Sequence, residues 1–149
     1  MTLVDQIQAD LTAAMKARDT DTTATLRMVM AAVKNARVAP GHSGDVGDDE
    51  ALDLLTKEAK KRSEAIEAYS GAGRQELADK EQRELAIIRR YLPEPLGEDE
   101  LRALVDEAIA ATGAAQPSDM GRVMGVLVPK TKGRADGKVL SAMVKDRLA

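Results

Sequence analysis

The chain has 149 residues, 44% of them hydrophobic, which is enough for one globular domain or two small ones. It contains no Cys, Phe or Trp, so disulfides and thiolate chemistry are excluded and the core must be aliphatic, a composition that favours helices over sheets. No segment approaches the roughly 18 consecutive apolar residues of a membrane span, and the first residues lack a signal-peptide pattern. We therefore expect a soluble, cytoplasmic protein that does not contact a membrane.

Charge is distributed unevenly along the chain, although the net charge is only −3. From Ser118 onward there are seven basic and three acidic side chains, and the remainder of the chain is net acidic. Such an asymmetry within one chain is typical of a basic contact surface. The C-terminal part is therefore the candidate region for contact with an anionic partner.

Apolar side chains recur at helical spacing in four segments before residue 93. The first segment begins after Thr2, which forms a capping-box pattern with Asp5. Its predicted apolar face consists of Leu3, Ile7, Leu11 and Met15. The four predicted helices cover approximately residues 3–18, 22–39, 48–69 and 74–91. The short break between the first two helices predicts that they form an antiparallel hairpin.

His42, the only histidine, lies in a loop of glycine and polar residues. It could move a proton or bind a metal, but no second His or Cys is present to share a metal, so we expect a solvated loop residue. The basic run from Lys57 to Arg62 could contact nucleic acid. Because Glu58 and Arg62 are four residues apart, we instead expect an ion-paired helix face that is exposed to solvent.

Glu81 and Glu84 lie one turn apart on the fourth predicted helix, a spacing that catalytic acids and bases can use. Nothing nearby in the sequence supplies a nucleophile or a set of metal ligands, so we expect both to be surface acids. No catalytic, dinucleotide-binding or calcium-binding motif occurs elsewhere in the chain. The sequence therefore predicts no catalytic residue, no metal site and no cofactor.

Pro93 and Pro95, followed by Gly97, form the clearest boundary in the sequence. A residue before proline is biased away from helix, and so short a segment is expected to act as a stiff hinge. The sequence predicts an N-terminal portion of about four helices at residues 1–92, a hinge at 93–97 and a small three-helix tail domain at 98–149. The predicted fold class is all-α.

In the tail, Ser118 is expected to cap the sixth helix, which Pro129 and Gly133 end. Asp136 is expected to cap the seventh helix. The sixth helix also carries a flat stripe that could admit another helix or a backbone segment. The candidate residues for such packing, or for contact with a protein partner, are Gly121, Arg122 and Gly125.

The segment between the sixth and seventh predicted helices is basic and contains glycine. Its side chains could reach phosphates from one loop, and its glycines let the backbone approach an anion closely. The candidate residues for nucleic-acid binding are Lys130, Lys132, Gly133, Arg134, Gly137 and Lys138. The alternative is a solvated turn. A nucleotide-binding loop is excluded because the glycines are too close together and Val139 stands where Ser or Thr would hold magnesium.

Several ordered motifs, spread over essentially the whole chain, resemble those of the YqeY-like proteins of the GatB/YqeY family. The matching stretches are Ala13–Ala17 with Leu26 and Arg27, Glu58–Arg62 through Ile66–Tyr69, Ala72–Arg74 with Glu81 and Glu84, Tyr91–Pro93, and Asp119–Met124 through Lys132–Lys138. One departure is Lys61, where the family often has Gln.

The resemblance implies an all-helical, two-part fold whose tail is similar to the C-terminal domain of the B subunit of the glutamine-dependent aminoacyl-tRNA amidotransferase. That domain engages the elbow region of tRNA, and the matching basic residues here are Lys130, Lys132, Gly133, Arg134 and Lys138. The kinase-like catalytic portion of the amidotransferase subunit has no counterpart in this chain. The resemblance therefore implies a tRNA-binding accessory module that makes phosphate and shape contacts.

Two alternatives stay open at this point. The first is a protein-interaction adaptor for an aminoacyl-tRNA synthetase or amidotransferase, in which Gly121, Arg122 and Gly125 would matter more than the lysines. The second is a carbon–nitrogen ligase activity with glutamine as the amide donor, which the resemblance implies by family association only. We expect no such enzyme activity from the chain in isolation.

Overall fold

The computed structural model describes residues 1–149 and contains seven α-helices, one short 3₁₀ helix and no β-strand. The prediction of an all-α fold is confirmed. The α-helices are α1 (Leu3–Ala17), α2 (Thr20–Arg37), α3 (Asp48–Gly71), α4 (Gln75–Arg89), α5 (Glu98–Thr112), α6 (Met120–Thr131) and α7 (Gly137–Leu148). The 3₁₀ helix, Pro117–Asp119, immediately precedes α6.

The chain divides into two compact units, Met1–Leu92 and Pro93–Ala149. The first unit contains α1 to α4, with α1 packed against α2 and α3 packed against α4. Its main core is aliphatic, as the lack of Phe and Trp requires, and close packing of such side chains is what holds the four helices together. The buried residues of this core are Ile7, Leu11, Leu26, Val29, Leu55, Ala59, Leu85, Ile87 and Ile88.

The buried face of α1 differs slightly from the predicted one. Ile7 and Leu11 are buried, but Met15 is 49% exposed and Ala14 is buried in its place. The prediction assumed one apolar residue every four positions, whereas an α-helix turns once every 3.6 residues, so the buried stripe drifts around the helix. The predicted capping box is confirmed, since the Asp5 amide donates to Thr2 Oγ1 at 3.1 Å and the Thr2 amide donates to Asp5 Oδ2 at 3.2 Å.

The loop between α2 and α3 is folded onto the first turns of α3. Val46 anchors it, because this side chain is buried in a second small core with Val4, Val33 and Ala51. The anchored loop places His42 beside Glu50, with Nε2 2.8 and 3.0 Å from the two carboxylate oxygens. The expectation that His42 is a solvated loop residue is therefore wrong, and a single buried valine in the loop explains why.

Two further expectations for the first unit are wrong. The Glu58–Arg62 pair does not lie on a solvent-exposed face, because the two side chains are only 10% and 4% exposed. Glu84 is also buried and is not a surface acid. Both errors have one cause: α3 and α4 pack side by side along these residues, and α2 covers them as well.

The second unit is built from α5, α6 and α7. Its core is again aliphatic, and its buried residues are Leu101, Val105, Ala108, Val123, Leu127, Leu140, Val144 and Leu148. Met120 and Met124 of α6 are partly buried against this core.

The start and end of α6 differ from the sequence prediction. Ser118 lies inside the 3₁₀ turn, and the cap residue of α6 is Asp119. Pro129 lies within α6, which continues to Thr131. The last turn is kept helical by Leu127 and Thr131, which are four residues apart, both buried on the same face, and joined by a hydrogen bond from Thr131 Oγ1 to the Leu127 carbonyl at 3.0 Å.

The segment Pro93–Gly97 belongs to the second unit and is hydrogen-bonded within it. The Leu96 amide donates to the Arg134 carbonyl at 2.9 Å, and Arg134 Nε donates to the Glu94 carbonyl at 2.9 Å. Leu96 is also packed against the core of the unit. The assignment of residues 93–97 as a stiff hinge stays a prediction.

Candidate nucleic-acid interface

A tight turn joins α6 to α7 and carries most of the predicted nucleic-acid-binding residues. The Arg134 amide donates to the Thr131 carbonyl at 2.8 Å, which closes the turn. Between them Gly133 has φ +74°, a left-handed conformation that residues with a side chain adopt only at a cost. The left-handed conformation gives glycine at this position a backbone role in the turn. That it also lets the backbone approach an anion stays a prediction.

The first turn of α7 is capped from within the same segment. The carboxylate of Asp136 accepts a hydrogen bond from the Lys138 amide at 2.8 Å, so the prediction that Asp136 caps the seventh helix is confirmed. The Lys138 amide is therefore already satisfied by protein. An anion at this helix end would meet the side chain of Lys138 rather than its backbone.

The cationic side chains of the segment fall into two groups. Lys130, Lys132 and Lys138 are exposed. Arg134 is partly buried and uses Nε to hold the Glu94 carbonyl, as described above. That structural role was missed from the sequence, because a contact between residues 40 positions apart leaves no local pattern. The structure brings the three lysines to the two sides of one turn.

Buried residues on both sides of the turn hold it in place. Leu127 and Thr131 anchor the end of α6, and Leu140 anchors the start of α7. Exposed lysines on a rigid, short connection form a surface of positive charge whose shape is set by the fold. Lysine ammonium groups bind phosphate oxygens as point charges, so such a surface is suited to a polyanion.

The stripe predicted on α6 is open. A Cβ atom added at Gly121 or Gly125 would meet nothing within 4 Å, so neither glycine is there to admit another helix of this chain. Arg122 is engaged locally: its Nη2 donates to Asp119 Oδ1 at 2.7 Å and its Nη1 donates to the Thr112 carbonyl at 3.2 Å. Arg122 therefore ties α6 to the end of α5.

Asp119 is the centre of that connection. Its carboxylate accepts hydrogen bonds from the amides of Ala115 and Gln116 as well as from Arg122. These donors, with the Ala115 amide the strongest contributor, lower the pKa of Asp119 to about 2. Two residues of the motif Asp119–Met124, Asp119 and Arg122, therefore have a structural role: their hydrogen bonds connect the start of α6 to the end of α5.

Comparison with known proteins decides the family. A family model described as "Yqey-like protein" matches residues 4–148, a range that includes both units. The chain belongs to the YqeY-like protein family. The resemblance found in the sequence motifs is confirmed.

Relatives of this YqeY-like chain occur in fungi. It is 31% identical over 148 residues to "Altered inheritance of mitochondria protein 41, mitochondrial" of Pyrenophora tritici-repentis. The match covers 97% of the chain and 80% of that protein. An uncharacterized protein of Schizosaccharomyces pombe is 35% identical over 89 residues, or 59% of the chain and 70% of its own length. The Saccharomyces cerevisiae protein with the same name as the first relative is 31% identical over 90 residues, or 60% of the chain and 48% of its own length.

The names of two of these relatives contain the word mitochondrial, which describes those proteins. For this YqeY-like chain, a cytoplasmic location stays a prediction. None of its helices is both long enough and apolar enough to cross a membrane. Nor does the structure contain a group of three or more His, Cys, Asp or Glu side chains arranged to hold a metal ion.

Proposed function

We propose that this YqeY-like protein is a tRNA-binding accessory module, and that Lys130, Lys132 and Lys138 contact tRNA phosphates. The observation that supports the proposal is the placement of these three exposed lysines around the fixed turn between α6 and α7. Phosphate contacts of this kind position a nucleic acid and dominate its affinity without reading its sequence.

The composition of the second unit favours structured RNA over single strands. The unit has no aromatic side chain, and proteins that bind single strands commonly stack bases on aromatic rings. Folded RNA can be recognised through the shape of its helices and the positions of its phosphates. A folded RNA such as tRNA therefore fits the residues present better than an extended strand does.

Arg134 contributes differently from the lysines in this proposal. Because its Nε already holds the Glu94 carbonyl, replacing it changes the turn as well as the charge. The three lysines are exposed, whereas Arg134 is partly buried, so the lysine variant is the main test of the surface charge. An Arg134 variant is expected to lose stability together with affinity.

The experiment measures binding of the full-length protein to a tRNA transcript by fluorescence anisotropy, at several salt concentrations between about 50 and 200 mM. Three phosphate contacts predict a slope of about −2 to −3 in a plot of log affinity against log salt concentration. The triple variant Lys130→Ala, Lys132→Ala, Lys138→Ala is expected to flatten this slope and to weaken binding strongly at the lowest salt concentration.

A matched control removes the same charge from the first unit, at the exposed residues Lys34, Lys57 and Lys60. The control is expected to bind tRNA nearly as the wild type does. If both triple variants bind equally well, the assignment of the site to the α6–α7 turn is wrong. A linear RNA duplex of similar length shows whether the folded shape of tRNA adds to the affinity.

Asp136 allows a test in the opposite direction. It is the only acid between Lys130 and Lys138, and it also caps α7. Asp136→Ser removes the negative charge but retains a side chain that can cap the helix. We expect Asp136→Ser to bind tRNA several-fold more tightly at low salt, because the repulsion between its carboxylate and the phosphates is gone.

The adaptor alternative has one structural observation in its favour, the open stripe at Gly121 and Gly125. It predicts that an added side chain, as in Gly125→Leu, abolishes capture of a synthetase or amidotransferase and leaves tRNA binding unchanged. A different result favours the tRNA-binding module. In that case the triple lysine variant captures less of the synthetase or amidotransferase than the wild type does, and this difference is seen only when RNA is present.

A further inference from the structure

The first unit contains an open groove between α2, α3 and α4, with a volume of about 590 Å³. This volume is within the range of small-molecule sites, about 300–1,000 Å³. The wall formed by α2 carries small or apolar residues, among them Met28 and Ala31. The rest of the groove is charged and comes from two sequence motifs that the tRNA proposal does not use, the Glu58–Arg62 run and the pair Glu81 and Glu84.

Arg62 forms the floor of the groove and is almost completely buried. Its Nη1 donates to Glu58 Oε2 at 2.5 Å, and its Nη2 donates to the sulfur of Met28, a weak acceptor, at 3.4 Å. Its Nε is buried and donates to no acceptor of the protein. Oε2 of Glu84 lies 3.7 Å from Nε, which is too far for a hydrogen bond. A buried N–H without an acceptor is costly, so the guanidinium gains from an added acceptor.

The charges of the groove restrict the kind of group that can supply this acceptor. Three acids and three bases line the groove: Glu58, Glu81, Glu84, Lys61, Arg62 and Lys80. A cation at the floor would be repelled by the guanidinium of Arg62. A carboxylate would be repelled by Glu58 and Glu84, whose largely buried side chains both lie beside Arg62. The group that fits is therefore an uncharged one.

The gap between Arg62 Nε and Glu84 Oε2 can take a donor as well as an acceptor, because the carboxylate oxygen accepts hydrogen bonds. In a primary carboxamide the oxygen and the nitrogen are about 2.3 Å apart, as the C=O and C–N bond lengths require. Each of them can form a hydrogen bond of about 2.9 Å to one of two protein atoms that are 3.7 Å apart. The dimensions of a primary carboxamide therefore match the gap.

The direction of the N–H bond distinguishes a primary carboxamide from a peptide bond. One N–H of the –NH₂ group lies on the same side as the oxygen, so both can face the gap. In a trans peptide bond the N–H points away from the oxygen, so only one of the two can face the gap. The backbone of another protein is therefore a poor fit.

We propose that the groove binds a primary carboxamide carried on a short aliphatic chain. Its oxygen accepts from Arg62 Nε, its –NH₂ group donates to Glu84 Oε2, and its chain lies against Ala31 and Ala32. Met28 is 50% exposed and contacts the guanidinium, so this unbranched side chain turns aside to admit the group. The proposal concerns binding without any chemical step, and it does not depend on the tRNA-binding proposal.

A primary carboxamide has two sources, a small molecule and an amide side chain of another protein. Both place the same group in the groove, and they differ at the far end of the chain, where only the side chain joins a peptide backbone. Butanamide and Nα-acetyl-glutamine methylamide are therefore the two probes. Tighter binding of the second probe identifies a protein side chain as the source, whereas equal or weaker binding identifies a small molecule.

The experiment follows the Nε–H signal of Arg62 by NMR while the ¹⁵N-labelled full-length protein is titrated with each probe. Arg62→Lys keeps the positive charge but has no Nε–H, so it assigns this signal. Because the N–H gains an acceptor, we expect a saturable downfield shift. The dissociation constant is expected to be on the order of millimolar for probes of so few atoms.

Three ligand controls test the chemistry of the carboxamide. Butyrate is an anion, butylammonium is a cation, and N-methylbutanamide has its N–H directed away from its oxygen. None of them is expected to reproduce the shift of the Arg62 Nε–H signal. Absence of a saturable shift with both carboxamide probes overturns the proposal, and an equal response to N-methylbutanamide overturns the assignment of the ligand as a primary carboxamide.

Two variants of the protein test the two ends of the ligand. Glu84→Ala removes the acceptor for the –NH₂ group and is expected to weaken binding of butanamide at least about tenfold, whereas Glu76→Ala, at an exposed position of the same helix, leaves it unchanged. Ala31→Leu fills the groove from an exposed position of α2, so it remains informative if Glu84→Ala fails to fold.

Ala31→Leu is expected to weaken binding by a similar factor, because its side chain occupies the place of the aliphatic chain. Ala24→Leu is its control, since Ala24 is an exposed residue of α2 that does not line this groove. Equal affinity of Ala31→Leu and Ala24→Leu for butanamide contradicts the proposed position of the ligand.

Discussion

The phenolic hydroxyl of Tyr91 donates a hydrogen bond to Asp10 Oδ2, with an oxygen–oxygen distance of 2.5 Å, and so joins the end of the first unit to its first helix. The two residues are 81 positions apart. Burial, followed by the hydrogen bond to Asp10 and the negative charge of Asp10, raises the pKa of Tyr91 well above its usual value of 10. Tyr91, two residues before Pro93, is thus held in place by a specific polar contact.

Tyr91→Phe keeps the ring and removes only this hydrogen bond. Because the acceptor is a partly buried carboxylate, we expect a loss of about 1–2 kcal/mol in the free energy of unfolding, measured by urea denaturation. Tyr69→Phe is the matched control, since Tyr69 is also partly buried and is the only other tyrosine. Equal effects of the two substitutions would mean that the contact with Asp10 contributes nothing.

Two Glu–Arg pairs with the same i,i+4 spacing differ in burial, and this difference predicts different energies. Glu58 and Arg62 are almost completely buried, whereas Glu98 and Arg102 are 68% and 58% exposed. Glu58→Ala is expected to cost about 3–5 kcal/mol, because it leaves the buried Arg62 without its main partner. Glu98→Ala is expected to cost less than about 1 kcal/mol, because water screens that pair.

The double variant Glu58→Leu, Arg62→Met extends this test. It removes both charges and fills their space with apolar groups, so we expect a stability closer to the wild type than that of Glu58→Ala. Chemical denaturation of the double variant and of the single variants Glu58→Leu and Arg62→Met measures the coupling between the two residues. A double variant less stable than Glu58→Ala would show that the charges stabilise the fold beyond their mutual pairing.

Two glycines of the α6–α7 turn are expected to respond differently to alanine. Gly133 has φ +74°, so Gly133→Ala strains the backbone and should lower the free energy of unfolding by about 1–2 kcal/mol. Gly137 begins α7, and an added Cβ there meets nothing within 4 Å, so Gly137→Ala should change stability by less than about 0.5 kcal/mol. Urea denaturation monitored by circular dichroism measures both. Similar costs for the two variants would contradict the left-handed turn at Gly133.

Acid is expected to weaken the connection between α5 and α6. The pKa of Asp119 is lowered from 3.8 to about 2, so its contribution to stability is present above pH 3.8 and is lost as the pH falls towards 2. Asp119→Asn should lower the melting temperature at neutral pH but show a smaller further decrease between about pH 4 and pH 2. Asp146→Asn, at an exposed position of α7, is the control and should follow the wild type.

Local patterns in the sequence were sufficient for several features of this YqeY-like protein. Its aliphatic composition and the spacing of its apolar residues predicted the seven helices and the all-α class. The capping box at Thr2 and the cap at Asp136 were also predictable, because each is an interaction between residues two or three positions apart. The lysines of the α6–α7 turn were found because they are close together in the chain.

Other features depended on which helices meet in space. The sequence by itself placed Glu58 and Arg62 on one face of a helix, but whether that face meets solvent or a neighbouring helix depends on α2 and α4, which are distant in the chain. The same holds for Glu84 beside Arg62 and for the Arg134–Glu94 contact. Helical periodicity determines which residues share a face, and only tertiary packing decides whether that face is dry, and therefore whether its charges are merely solvated or form a site.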